Sequence, residues 1–466
     1  MNKWSKIAFA VAAAVLLILA GVPEIFIFGA LPLFGVTTAT TDIDEAMKVI
    51  FEDSVTESFV VDTEAFDIFT QDANVKVDET TGGRFIETAQ LFHLPAGVGS
   101  RAEGEYIPIP QGPTVVNSRI NLRKVMGVLE MTGEVFDTVK SNEGAFMNYA
   151  SRAMPLLVEL VNNELDRMLL GYGAGVVARI DDAAPDATIG IDSSFGVNGY
   201  TKAWTLFQEN ETIRIGPNAD GSAMRVGQAK VLDVDPEGNA GDGLLTLDAL
   251  PAGGVDNDFI FMGDTNVASS QTAAGEDREV MGLLGMVDDG SILQVFQNIN
   301  RSTFRKWQSV VHTASGPLLE NVLVSADDAV FEKGAGVPSI VLSSRDQLRE
   351  YWKDLKSDRS INDPRGQFDG GLNNKGLKIH TGDRTLTLRA SRKLPPQITF
   401  MLSPDTFKRF HNVGWKWDDR TGSIWNRVGD GTGHKDAFFA VGYIRLQTAC
   451  TNPRKNVVIR GLTVTP

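Results

Sequence analysis

The side chains that most often carry enzyme chemistry are few and scattered in this sequence. None of the five histidines has a second histidine three or four residues away, so a helical zinc motif is absent; they are His93, His312, His380, His411 and His434. Cys450 is the only cysteine, which excludes an intramolecular disulfide and a thiolate metal cluster, and we interpret it as a small buried apolar residue. The sequence contains neither a Gly-x-Ser-x-Gly nucleophile elbow nor the Gly-Lys dipeptide of a phosphate-binding loop. We therefore predict no catalytic residues, no metal and no cofactor.

Two other groups of residues could do chemistry, and each has a simpler interpretation. An enzyme site could be built from Asp288, Asp289 and Arg301, but no histidine or cysteine stands close to them in the sequence. Trp415, Trp417 and Trp425 could form an aromatic cage for a ligand, although such clusters more often form a corner of the core. The enzyme is kept as an alternative, and the tryptophans are predicted to be core.

Composition and charge favour a folded protein that associates with other copies of itself. A chain of 466 residues predicts two to four structural units, and 42% apolar with 22% charged residues excludes a disordered or fibrous chain. The net charge of −15 argues against a general nucleic-acid binder. Residues 301–466 carry a net charge of +10, whereas residues 1–300 carry −25. This division favours contact between opposite halves of neighbouring copies; chance clustering of solvated charges is the alternative.

The first forty residues contain an apolar stretch with a positive start. Lys3 and Lys6 precede the 14-residue apolar run from Ile7 to Ala20, and a second apolar segment, Ile25–Val36, is interrupted by Pro32. This pattern is typical of a signal peptide or a membrane anchor. At about 1.5 Å per residue the first run reaches about 21 Å, short of a bilayer core of about 30 Å.

An arm and a long hairpin are predicted next. Ile43, Met47 and Ile50 share one face of a short amphipathic helix, and residues 53–80 are acidic and weakly patterned, as in an extended arm. Residues 84–94 and 106–130 read as extended runs on either side of a tip, Pro95–Glu105, that is rich in glycine and charge. Because a two-stranded hairpin is marginal alone in water, we expect this one to lie on a partner.

The remainder alternates between helical and strand-like patterns. Apolar residues at steps of three and four predict a helix from about Ser141 to Leu170, kinked or split at Pro155. The glycines at 171, 173 and 175 follow a helix, whereas a dinucleotide loop follows a strand, so they are predicted to end the helix. Residues 180–264 are predicted to be a compact all-β insertion, and mixed α/β structure follows to the C-terminus.

The order of these features resembles the major capsid proteins of tailed double-stranded-DNA phages, which have the Hong Kong 97-like fold. The resemblance runs from about Thr40 to the C-terminus and is carried by the number and order of short motifs rather than by a chemical signature. These motifs are Gly82-Gly83-Arg84 with Gly99–Glu105, Glu164-Leu-Asp-Arg167 with Leu170-Gly171, Gly282–Gly290, and Asn300-Arg301-Ser302 with Trp307. The first 39 residues depart from the family, because a charged, cleavable scaffolding segment is usual there.

The resemblance implies an α+β capsid fold that is divided into seven segments. They are an apolar N-terminal segment (1–41), an N-arm (42–80), an E-loop hairpin (81–130), a P-domain spine helix (131–180), a β-rich insertion (181–268), a P/A-domain (269–440) and C-terminal strands that return to the P-domain (441–466).

The resemblance further implies a structural protein and not an enzyme. It implies hexamers and pentamers of this chain in an icosahedral shell that encloses double-stranded DNA without sequence-specific binding. Portal and scaffold proteins are the other implied partners, and membrane contact by residues 7–36 is kept open. The implied location is the virion, after assembly in the host cytoplasm.

Intersubunit contact is expected at the hairpin, which has apolar residues but no local core to receive them. The residues predicted for it are Phe92, Arg101, Glu103, Glu105 and Ile107. The functional alternative is a secreted or membrane-anchored surface-layer protein, which residues 1–41 and the β-rich insertion suggest.

Overall fold

The computed structural model describes most of the chain after the N-terminal region. The described residues are 65, 68–71, 85–106, 109–110, 112–132, 143–221, 223–263, 279–357, 377–381, 384–420, 422–429 and 434–464. The chain divides into two compact units: the smaller comprises Met1–Met47, Val128–Ala150 and Asp419–Val441, and the larger comprises Lys48–Gly127, Ser151–Asp418 and Gly442–Pro466. The predicted apolar segment, the amphipathic helix with Ile43 and most of the acidic arm lie outside the described residues.

The described part contains four helices and twenty-one strands. The helices are α1 (Glu143–Leu170), α2 (Leu283–Met286), α3 (Glu320–Gly334) and α4 (Arg345–Ser357). The strands are β1 (Thr70–Gln71), β2 (Phe85–His93), β3 (Thr114–Asn121), β4 (Arg123–Thr132), β5 (Val176–Ile180), β6 (Thr188–Asp192), β7 (Thr212–Gly216), β8 (Ala229–Asp235), β9 (Leu244–Leu247), β10 (Phe259–Met262), β11 (Val295–Phe296), β12 (Ile299–Asn300), β13 (Val310–Thr313), β14 (Ile340–Ser344), β15 (Leu377–Thr381), β16 (Arg384–Ser391), β17 (Ile398–Leu402), β18 (Phe407–Trp417), β19 (Trp425–Gly429), β20 (His434–Cys450) and β21 (Val457–Arg460).

The long helix is present as predicted, and it continues through Pro155 instead of splitting there. It spans 28 residues, and its C-terminal part buries Val161, Leu165 and Leu169 at steps of four. Since burial of this stripe stabilises the helix, the hydrogen bond that Pro155 cannot donate is tolerated.

The β-rich insertion closes into a barrel. Its strands follow the order β10-β5-β6-β9-β8-β7, and their inward side chains, such as Ile189, Ile213 and Leu245, are fully buried. Closure leaves no unpaired strand edge in this part of the chain. Six strands thus form a closed barrel in the region where the sequence predicts a β-rich insertion.

A mixed six-stranded sheet forms the α/β part of the larger unit, in the order β13-β21-β17-β14-β16-β15. Strands β13 and β21 are parallel, as are β14 and β16, and the other neighbours are antiparallel. Leu323 and Val330 of α3 and Tyr351 of α4 share one core cluster with this sheet. The C-terminal strand β21 therefore lies inside the sheet, between β13 and β17.

The described residues of the N-terminal arm contact their own chain, and the amide of Ala65 donates to Asp166 of α1 at 3.3 Å. Strand β1 pairs in parallel with β18, which also pairs with residues 442–450 of β20. Phe69 is buried, and its ring centroid lies 5.5 Å from that of Phe407 in an edge-on contact. This part of the arm gains burial within the subunit.

In the smaller unit, the structure describes the end of β4, the start of α1 and one β-hairpin. In that hairpin β19 pairs antiparallel with the first part of β20, and Trp425 stands opposite Ala440.

A close junction joins the end of α1 to the segment that begins at Gly282. A Cβ at Gly282 would collide with the carbonyl oxygens of Met168 and Gly171. The amide of Gly285 donates to the same Gly171 oxygen at 3.3 Å. Two of the motifs that carry the family resemblance are therefore packed directly against each other.

Gly282→Ala is expected to destabilise the fold by about 1–3 kcal/mol, because the backbone at the end of α1 must move to admit a methyl group. Gly316→Ala is the matched control, since a Cβ there meets nothing within 4 Å. Denaturant unfolding of the two variants measures the difference, and equal midpoints would contradict the close junction.

The α+β fold class is confirmed by these elements and their order, whereas the boundaries of the seven predicted segments remain predictions. In the part of the chain that the structure describes, no helix combines the length and the apolar character needed to cross a membrane.

Candidate functional site

The hairpin formed by β2 and β3 has two faces of different character. In β2 the even-numbered residues are the more buried and the odd-numbered ones the more exposed from Ile86 onward, and β3 repeats this alternation. The register places Ile86 opposite Ile120 and Leu91 opposite Val115. The even-numbered residues thus form an inner face toward the chain itself, and the odd-numbered residues form an outer face toward solvent.

The inner face has a core within the subunit, contrary to the expectation from sequence. Ile120 is buried with Phe410 of β18 and Ala449 of β20, and Ile86 packs against this cluster. The sequence pattern did not reveal this core because Phe410 and Ala449 lie 290 and 329 residues beyond Ile120 in the chain.

Phe92 needs a correction, because it was predicted to contact a neighbouring copy. Its side chain is 6% exposed. Its ring stacks on Phe304 with centroids 4.6 Å apart and meets Trp307 edge-on at 5.9 Å. It is therefore already buried by its own chain and leaves no ring face for a neighbour.

The outer face and the tip carry exposed apolar side chains. Leu91 and Val115, which stand opposite each other, are 55% and 53% exposed. The tip and the residues that flank it add four more, Leu94, Val98, Tyr106 and Ile109, of which Val98 and Tyr106 are almost completely exposed. Six large apolar side chains on one hairpin exceed the scattered exposure that is normal on a protein surface.

The tip presents the three charges that the sequence singled out. Arg101, Glu103 and Glu105 are all exposed. The amide of Glu105 donates to the carbonyl of Ala102 at 3.2 Å, and the Glu105 carboxylate accepts from the Ala102 amide at 3.2 Å. Gly104 has a φ of +84° in this turn, a value that favours glycine. Ile107 lies outside the described residues, so its predicted contact stays a prediction.

Asp288, from which an enzyme site could have been built, is fully buried and saturated with hydrogen bonds. Its Oδ2 accepts from the amides of Gly290, Ile292 and Leu293 at 2.9, 3.1 and 2.9 Å. Its Oδ1 accepts from the hydroxyl of Ser291 at 3.0 Å. One carboxylate thus organises the whole loop that follows it.

Two arginines complete this cluster. Arg460 donates to Asp288 Oδ1 at 2.7 Å, and Arg301, fully buried, lies 3.4 Å from Oδ2. Burial raises the pKa of Asp288, but the Leu293 amide and the two guanidinium groups outweigh burial and hold it below its usual value. Burial lowers the pKa of Arg301 to about 10, so the pair stays charged at neutral pH. Arg301 thus pairs with Asp288, whereas Asp289 lies 3.9 Å from Arg460 instead, so the two aspartates tie the loop to the C-terminal strand β21.

A second buried cluster centres on Arg167 near the end of α1. Its Nε donates to Glu164 at 2.9 Å, and its Nη2 and Nη1 atoms donate to the two carboxylate oxygens of Glu279. Burial lowers the pKa of Arg167, but the two carboxylates outweigh burial and raise it above its usual value. In the sequence, Glu164 and Arg167 stand out only as family motif residues, and no local spacing gives a signal for Glu279.

Glu211 lies beside this cluster with one carboxylate oxygen buried and unbonded. Burial, and then the charge of Glu164, raise its pKa to about 8, although the Gln208 amide, Arg167 and Lys393 act in the opposite direction. The folded chain therefore holds a proton on Glu211 at neutral pH that the unfolded chain has released.

Stability is accordingly expected to fall by up to a few kcal/mol as the pH rises from about 5 to about 8, because only the folded state binds this proton in that window. The measurement is the free energy of unfolding in urea at several pH values. Glu211→Gln, which cannot ionise, should flatten the slope over this range. An unchanged slope in the variant would show that Glu211 does not carry the effect.

A cleft of about 1110 Å³ lies between α1, the barrel and the α/β sheet. Ion pairs bridge its walls: Lys202 pairs with Asp346, and Lys393 lies 3.6 Å from Asp166. The first pair joins the insertion that forms the barrel to α4, and the second joins the segment after β16 to α1. Within the described residues, no group of three or more His, Cys, Asp or Glu side chains could hold a metal ion.

The tryptophans and the cysteine lie in the interior, as their simpler interpretation predicts. Trp415, Trp417 and Trp425 are each buried, and the rings of the first two meet edge-on with centroids 5.8 Å apart. Cys450 is fully buried, and burial raises the pKa of its thiol to about 12.

No protein-family model and no curated protein matches the sequence. Among solved structures, the chain is similar to the capsid asymmetric unit of cyanophage A-1(L), with 10% identity over 82% of this chain and 88% of that chain and a TM-score of 0.42. It is also similar to the capsid of Myoviridae phage XM1, with 8% identity over 84% and 89% and a TM-score of 0.40. A third is the procapsid of satellite phage P4 with its size determination protein, with 9% identity over 100% and 99% and a TM-score of 0.38. These are phage capsid structures, the class that the sequence resemblance names.

Proposed function

We propose that this chain is a phage major capsid protein, which self-assembles into an icosahedral shell of hexamers and pentamers around double-stranded DNA. The observation that carries the proposal is an uncovered apolar pair on the outer face of the hairpin, where Leu91 and Val115 stand opposite each other, together with the exposed Val98 in the tip. A second copy of this chain is the partner that we assign to this face.

Burial on a neighbour supplies the energy for such a contact. Each Leu, Val or Ile side chain removed from water contributes about 1.5–3 kcal/mol. In a closed shell every subunit gives one hairpin and receives another, so the gain is repeated at each contact without leaving free ends.

Charge determines how two neighbouring copies are oriented relative to each other. The net charges of −25 on residues 1–300 and +10 on residues 301–466 favour pairing between opposite halves of two copies. Arg101, Glu103 and Glu105 at the tip offer both signs for the same purpose. The acidic total also limits adhesion of the inner wall to packaged DNA, which fits enclosure without sequence-specific binding.

The other partners belong to the same proposal. A shell that is filled with DNA needs a portal protein, through which the DNA enters, and a scaffold protein that guides closure of the shell. The protein would then be located in the virion. Contact of residues 7–36 with a membrane is a separate proposal, which rests only on their apolar sequence.

Sedimentation of the full-length chain after fractionation of the cells that produce it tests the proposal. We expect a megadalton particle in the soluble fraction. A processed, membrane-associated monomer would contradict it and would favour the surface-layer alternative. Leu91→Ala should lower the yield of particles, whereas Glu87→Ala, which removes an exposed polar side chain from the same face, should leave more of the assembly intact.

A further inference from the structure

The far end of β2, next to the tip, is fastened to the body of the same chain. The ring of Phe92 lies between Phe304 and Trp307, with centroid distances of 4.6 and 5.9 Å. The ammonium of Lys306 donates to the backbone carbonyl of Phe92 at 2.7 Å. We call Phe92, Phe304, Lys306 and Trp307 the aromatic clasp.

The strand geometry directs Phe92 into the clasp. Leu91 pairs with Val115 and His93 pairs with Thr114, so Phe92 is an extra residue without a partner in β3. A β-bulge of this kind re-aims a side chain and bends the strand. The alternation along β2 places Phe92 on the inner face and its neighbour Leu91 on the outer face, and the bulge frees the backbone of Phe92 from pairing with β3.

Trp307 of the clasp is itself held in place by contacts with the body of the chain. The indole N–H of Trp307 donates to the carbonyl of Phe296 at 3.2 Å, and their rings stack with centroids 6.0 Å apart. The guanidinium of Arg301 lies 4.8 Å from the centroid of the Phe296 ring and is held by the Asp288 cluster. The residues that hold the hairpin are therefore tied to the buried ion pairs of the body.

A second tie fixes the hairpin at another point along its length. The amide of Arg119 in β3 donates to the carbonyl of Gln297 at 3.0 Å. Arg119 stands opposite Glu87, near the start of β2, whereas Phe92 is near its end. Two attachments separated along a strand fix its direction as well as its position.

We propose that the aromatic clasp positions the hairpin before a second copy binds, and so sets the angle between neighbouring subunits and the diameter of the assembled particle. This inference rests on the proposed function. A pre-oriented hairpin loses less conformational freedom on association, and its fixed direction restricts the contact to one geometry. The inner face thus holds the hairpin within the subunit, and the outer face binds the neighbour.

The test compares Phe92→Ala with Leu91→Ala, two adjacent residues on opposite faces of one strand. Hydrogen–deuterium exchange of the unassembled full-length chain reports the attachment, and electron microscopy of the assembled product reports the diameter. We expect Phe92→Ala to speed exchange in peptides covering residues 85–93 and 114–121 at least tenfold, to leave residues 398–402 and 457–460 unchanged, and to give particles of mixed diameter. Leu91→Ala should leave exchange unchanged and lower the yield of particles of normal diameter.

Lys306 offers a milder pair of variants, should Phe92→Ala fail to fold. Lys306→Met removes the donor to the Phe92 carbonyl and should broaden the particle diameters, whereas Lys306→Arg keeps a donor and should restore them. Particles of uniform diameter from both Phe92→Ala and Lys306→Met would overturn the inference while the proposed function stands. Absence of particles from the unaltered chain would overturn the proposed function and this inference together.

Discussion

Replacement of Pro95–Glu105 by a short Gly-Ser turn is expected to abolish the large particle and leave the subunit folded. The segment removed is exposed and includes Val98 together with the charges of Arg101, Glu103 and Glu105. Its loss removes contact area from every interface of the shell at once, so the effect multiplies over the assembly. The replacement leaves the core untouched, because the inward-facing residues of β2 end at Phe92, before the replaced segment begins.

Sedimentation velocity and circular dichroism together measure this result. We expect monomers or isolated capsomers with the helical and strand signal of the unaltered protein. Normal shells from the replaced protein would contradict the role of the tip in assembly. An unfolded product would instead contradict the placement of the tip outside the subunit core.

Arg167→Met is expected to have the largest effect on the subunit itself, a loss of about 3–5 kcal/mol in the free energy of unfolding. Arg167 is almost fully buried between Glu164 and Glu279, and the variant leaves the buried Glu279 carboxylate without its partner. The cost arises from this uncompensated charge rather than from lost packing, since methionine retains much of the side-chain volume.

Arg349→Met is the matched control for this prediction. Arg349 also pairs with an acidic residue three positions away, Asp346 at 3.1 Å, but its side chain is well exposed. Its removal should cost less than about 1 kcal/mol. The double variant Arg167→Met with Glu279→Gln should recover part of the stability. If Arg167→Met and Arg349→Met unfold at the same urea concentration, the ion pairs of Arg167 do not stabilise the fold more than an exposed pair does.

Periodicity in the sequence identified the elements whose pattern is strong and local. The long helix was expected over 141–170 and is found over Glu143–Leu170, because its apolar stripe recurs at steps of three and four. β structure was also expected over 180–264, where four of the barrel strands are found between Thr212 and Met262. Strand β5 was not identified, since its residues are nearly all buried and its sequence shows no alternation of apolar and polar side chains.

Contacts between distant segments could not be predicted in the same way. The alternation in β2 distinguishes its two faces, but it does not reveal which face meets the chain's own body. Phe92 was therefore assigned to a neighbour, although Phe304 and Trp307, more than 200 residues away, receive it. Arg167 and Glu279 are separated by 112 positions, and no spacing rule links them. The tip charges were located correctly on an exposed turn, because glycine and charge mark such turns locally.

Electron microscopy of the purified full-length chain tests the central claim most directly. We expect closed icosahedral particles in which the hairpin of one subunit lies on the next subunit, joins the hexameric and pentameric units, and has its Leu91–Val115 face buried. A protein that remains monomeric at high concentration with this face exposed to solvent, or that is found only as a processed membrane-bound species, would contradict it.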